Sequence, residues 1–242
     1  MQPSPSSLPL SPPSSPVRLT GISSMATRAV LNELAAAYPQ PGVQVQIESV
    51  GGVDAAKRVQ AGEAFDIVVL AAEAIDRLIA SGRVLAGSRV DLVHSGVAVA
   101  VRSGSPWPDL GSESAVRSAV LAAPRIGFST GPSGVVLQKL FERWGITDQL
   151  QGRLVQAPPG VPVASLVARG EVALGFQQLS ELLHVEGIDV VGPLPPAIQI
   201  NTTFSVGLCS ASTQAPAVQG LLDFLTSPAA AVVYQRHGMT PA

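Results

Sequence analysis

Apolar residues recur along the chain with two periods. VRLTGI from Val17, VQVQIESV over Val43 to Val50 and AFDIVVLA over Ala64 to Ala71 are short, apolar or alternating runs that predict strands. Between them, SSMATRAVLNELAAAY places Met25, Val30, Leu34 and Ala37 at near-helical spacing. VDAAKRVQAG and EAIDRLIASGRV predict further helices, stopped at Gly62 and Gly82. This β-α-β-α-β order predicts parallel strands joined by right-handed crossovers.

The second half continues the alternation. A long apolar strand over Val97 to Val101 is followed by a helix from Ser114 to Ala122. RIGFSTGPSGVVLQKLFERWGI then repeats the device of strand, hydroxyl-rich turn and helix. RLVQA, VALGFQQ and TTFSVGLCS predict strands, VPVASLVARGE and SELLHVEG helices, and PAVQGLLDFLTS with PAAAVVYQRHG a terminal helical pair. The predicted class is α/β, a two-lobed fold with mixed, mostly parallel sheets and a ligand cleft between the lobes. Residues 17–96 plus 201–242 are expected to form one lobe and 97–200 the other, with hinges near Val97 to Val101 and Ile198 to Thr203. Residues 1–16, rich in Pro and Ser, are expected to be a disordered leader.

Composition supports this class. The chain has 242 residues, of which 46% are hydrophobic, 4% aromatic and 13% charged, which suits strands covered on both faces by Ala-rich helices. The net charge of -2 supplies no basic surface for nucleic acid, and no run is long enough to insert in a membrane. Bound charge must therefore be held locally. The leader has no basic segment, apolar stretch or cleavage site of an export signal, so cytoplasmic placement is expected, or periplasmic if the true start lies elsewhere. Cys209 is expected to be a small buried hydrophobe. His94, His184 and His237 are too scattered to predict a metal site, and no cofactor is expected.

Four turns carry candidate chemistry, because ligands of parallel sheets sit at the carboxyl ends of strands, where helix N-termini converge. Ser23 and Ser24 open the first helix, as ligand donors or as caps. Gly51 and Gly52 let backbone approach a ligand or make a tight turn. Ser129, Thr130, Ser133 and Gly134 form an anion nest without the Gly-Lys-Ser/Thr ending of a phosphate loop. Val161 lies in a Pro/Gly turn, and Gln177 with Gln178 can present amide donors to an anion.

The Ser turn with LNELAAAY, the block AGEAFDIVVLAAEAIDRLIASGRV, LVARGEVALGF and the terminal FLTSPAAAVVYQRHG together resemble the molybdate-binding proteins of ABC transporters, in the second topological class of periplasmic binding proteins. The resemblance spans about Val17 to Pro241. It implies a monomer that closes on a small anion and serves a transporter permease. It also places the family's first-turn serine at Ser23 or Ser24, and its small residue after the third strand at Ala71 or Ala72. Two positions depart: Gly51-Gly52-Val53 stands where the family has Gly-Ser-Ser, and Gln177 or Gln178 where it has an aromatic hydroxyl. The chain is also similar to aconitate isomerases, which use the same scaffold. That similarity implies a base in the cleft, for which Glu48, Asp54 and His184 are the candidates.

Overall fold

The computed structural model describes residues 16–183 and 185–242. Most of the expected leader, and His184, lie outside these residues. The first half runs β1 (Val17–Ser24), α1 (Arg28–Ala36), β2 (Val43–Val50), α2 (Gly52–Gln60), β3 (Ile67–Ala71), α3 (Ala72–Ala80) and β4 (Val90–Arg102). The second runs α4 (Glu113–Ala122), β5 (Ile126–Phe128), α5 (Pro132–Arg143), β6 (Leu154–Gln156), α6 (Val163–Ala168), β7 (Leu174–Gln178), α7 (Leu179–Leu182) and β8 (Ile188–Pro193). The chain then returns through β9 (Asn201–Leu208), α8 (Ala215–Leu225), α9 (Pro228–Arg236) and β10 (Met239–Pro241).

Strand order is β2-β1-β3-β9-β4-β7-β5-β6, with β10 and β8 also on β4. β1 is parallel to β2 and β3, and β5 is parallel to β6 and β7. The returning β9 is antiparallel to both β3 and β4. β4 is a single 13-residue strand, longer than the predicted Val97 to Val101. Its residues up to Gly96 pair with β9 and those from Val97 onward with β7 and β8, so one strand serves both halves of the sheet.

Period-two patterning explains how the sheet is covered. In β3, Ile67 and Val69 face a core completed by α1, α8 and α9, while Val68 and Leu70 face one completed by α2 and α3. In β4, Val97, Val99 and Val101 pack toward α4 and α5, and Ala98 and Ala100 toward α6. β2 is half-covered, with Val43, Val45 and Ile47 inward and Gln44, Gln46 and Glu48 outward. Serine caps start α4 and α9: Ser112 Oγ accepts from Ala115 N at 3.1 Å and Ser227 Oγ from Ala230 N at 3.2 Å. The sequence predicts a helix over SELLHVEG, but among the described residues only the single turn Leu179–Leu182 forms there, with Leu183 extended after it. Cys209 is buried beyond the end of β9, where desolvation and the nearby Asp66 push its thiol pKa up to about 12.

Candidate functional site

A cleft of roughly 640 Å³ opens where the carboxyl ends of β1, β3, β5 and β7 face one another. Ser24 lines it at the end of β1, and its Oγ accepts from Ala26 N at 3.4 Å. Gly51 and Gly52 begin α2, and Ala71 precedes α3. No side chain caps either helix, so their first-turn N–H groups remain available to a ligand. A side chain at Gly52 would bring its Cβ within 3.5 Å of Ser24 Oγ.

Opposite stand Ser129, Thr130 and Ser133 around the start of α5. Pro132 occupies the first helical position and has no N–H, so that position offers no backbone donor and the hydroxyls add to those of its neighbours; Ser129 Oγ and Ser133 Oγ are 3.4 Å apart. Val161 lines the cleft from the turn before α6. The halves meet closely: a Cβ on Gly51 would lie 3.9 Å from Gly160 N. Ser180 Oγ also donates to Ala26 O at 2.8 Å, joining residues 154 positions apart.

Two expected ligand residues stand off the cleft wall. Ser23 is fully buried, with its Oγ 2.8 Å from Ser49 Oγ, because adjacent residues of β1 point to opposite faces and only Ser24 can face the cleft. Gly134 packs behind the α5 turn, where a Cβ would sit 2.0 Å from Ser129 O; its role is close backbone approach. The glutamine amides are also less free than expected. Gln177 Oε1 accepts from Ala164 N at 3.0 Å and its Nε2 donates to Glu181 Oε1 at 2.9 Å. Gln178 Nε2 donates to Thr202 Oγ1 at 2.9 Å, and its enclosed Oε1 has no partner among the described residues.

Glu181 is the functional candidate that the sequence did not single out. It stands in the single turn of α7 and lines the cleft. Burial pushes its carboxyl pKa up to about 7, against a smaller lowering by the Gln177 bond. The bases named from sequence differ from it. Glu48 is gripped by both terminal nitrogens of Arg58, at 2.6 and 3.0 Å, and is held below the usual carboxylate range, mainly by that bond. Asp54 is exposed, 3.9 Å from Lys57 Nζ. Neither lines the cleft, and His184 lies outside the described residues. Among the described residues, no three His, Cys, Asp or Glu side chains cluster as a metal site, and no single helix is long and apolar enough to cross a membrane.

Two halves sharing β4 around a cleft of helix N-termini define a periplasmic-binding-protein fold of the second class. Residues 19–240 match the bacterial extracellular solute-binding proteins, and the chain belongs to that family. It is 38% identical over 230 residues to an aconitate isomerase from a Pseudomonas species, across 92% of this chain and 87% of that one. It is 22% identical to the molybdate-binding protein ModA of Escherichia coli, across 83% and 80% of the two chains. Among solved structures, the periplasmic molybdate-binding protein of Azotobacter vinelandii superposes with a TM-score of 0.77 at 20% identity, across 92% of this chain and 98% of that one.

Proposed function

We propose that the cleft binds a small unsaturated carboxylate and moves its double bond by an allylic proton shift, with Glu181 as the proton carrier. The observation that carries this reading is the Glu181 carboxyl, on the cleft wall with a pKa of about 7. A base with that pKa is substantially ionised at neutral pH yet holds a proton well enough to return it. The substrate class comes from the aconitate isomerase relative, which matches more of this chain, and more closely, than the molybdate-binding protein of Escherichia coli does.

In the proposed reaction Glu181 removes a proton from the carbon next to the double bond. The electron pair left behind delocalises toward a conjugated carboxylate, where the first-turn N–H groups of α2 and α3 and the hydroxyls of Ser24 and Ser129 stabilise the charge. The proton then returns to the far carbon of the allylic system, so atoms and charge balance without a cofactor.

Incubation with each aconitate isomer in deuterated water, followed by proton NMR, tests the proposal. Interconversion with solvent deuterium entering the product is expected. Stabilisation by molybdate with no turnover would instead make the chain an anion receptor, the reading under which a transporter permease is its partner.

A further inference from the structure

The cleft extends beyond the helix N-termini, along a channel between α2 and α3. Val53, Ala56, Lys57 and Gln60 recur at the spacing of one helical face on α2, and Ala74, Arg77 and Leu78 supply the facing wall on α3. The small Ala56 and Ala74 leave the channel open, and the cations stand further along it.

The two helices are matched. Each has nine residues and starts at a strand end, at Gly52 and at Ala72. Lys57 and Arg77 each lie five residues past their helix start, roughly 7.5 Å along the axis at 1.5 Å per residue. Arg77 makes no side-chain hydrogen bond or ion pair among the described residues, and Lys57 has only the 3.9 Å approach to exposed Asp54. The lining thus offers one anion position at the helix starts and a second beside two weakly committed cations.

We infer that Lys57 and Arg77 form a second anion subsite that selects di- and tricarboxylates spanning both positions over compact anions that fill one. This deepens the proposed function and rests on the cleft being its site. Glu181, the one carboxyl on the cleft wall among the described residues, belongs to α7 and so to a separate element from both anion positions.

Calorimetric titration of the full chain tests the inference with ligands that cannot isomerise. Tricarballylate, a saturated tricarboxylate, is the spanning probe, and sulfate and butyrate are the compact ones. Lys57→Gln and Arg77→Gln are each expected to weaken tricarballylate binding about fivefold, and the double variant about 25-fold, with sulfate and butyrate affinities unchanged. Unchanged melting temperatures would confirm that these exposed substitutions leave the fold intact. Wild-type tricarballylate affinity in the double variant would overturn the subsite, as would an equal loss for sulfate, which would mark a general field effect. Turnover of aconitate is read separately. Charge-dependent tricarballylate binding without interconversion of the aconitate isomers would sink the isomerase reading and leave the subsite standing.

Discussion

The two walls of the cleft are built on opposite principles. At its helix starts the wall of α2 and α3 presents bare backbone: two nine-residue helices whose first turns carry no side-chain cap and start from Gly51 and Ala71. The wall of α7 presents side chains in a bonded chain, with Ala164 N donating to Gln177 and Gln177 donating to Glu181. One wall stabilises charge without titrating; the other titrates near neutrality. A receptor needs only the first wall, and chemistry requires both.

The comparison breaks most sharply at Glu181. Glu181→Gln keeps the shape and the Gln177 contact but removes the base, so aconitate turnover measured by NMR should fall about 100- to 10,000-fold. Tricarballylate affinity should be retained or improved. Loss of affinity without loss of turnover would assign the carboxyl to binding alone.

The same residue predicts a pH-dependent stability. Its pKa is raised from an ordinary 4.5 to about 7 in the folded protein, so in that window the native state holds more protons than the unfolded chain. Stability therefore falls as pH rises from 4.5 through 7, by on the order of 3 kcal/mol, and levels off above that range. Urea unfolding of wild type and Glu181→Gln across pH 5 to 8 should show this slope in wild type only.

Smaller effects separate packing from binding. Gly134→Ala drives a methyl group to 2.0 Å from Ser129 O, so it should cost about 1–3 kcal/mol in urea unfolding and weaken ligand binding through the displaced Ser129 turn. Smallest of all, Ser112→Ala removes an ordinary cap and should cost about 1 kcal/mol with no change in affinity. Ser24→Ala, at a cap that faces the cleft, should lose affinity severalfold for a comparable or smaller change in stability.

Much of the donor wall was legible because it follows from strand-turn-helix punctuation. Gly51-Gly52 and the Ser129 to Ser133 turn follow strand ends and line the cleft, whereas Ala71 is indicated by the family resemblance alone. The choice between Ser23 and Ser24 was not legible, since it depends on which face of β1 the cleft occupies. Glu181 was hidden for a different reason. SELLHVEG resembles any amphipathic helix, and the carboxyl gains its altered acidity only from enclosure by segments distant in sequence. A local signal did exist: a glutamate four residues after Gln177, in the first turn following a strand end. Glu48 and Asp54 stand out in the sequence as acids near glycine turns, but Arg58 engages one and the other lies partly exposed beside Lys57, off the cleft wall.

The Ser180 to Ala26 bond ties α7, with its carboxyl, to the turn that follows Ser24 on the other side of the cleft. Glu181 owes its raised pKa to burial, so any conformation that parts these segments and wets α7 returns it toward ordinary carboxylate acidity. Opening the molecule is then coupled to acid dissociation: near pH 7 the enclosed carboxyl is about half protonated, so each gaping event releases about half a proton on average and each closure reclaims it. Acidification therefore favours closure, and an indicator in weakly buffered solution could register a change in the open population without any ligand present.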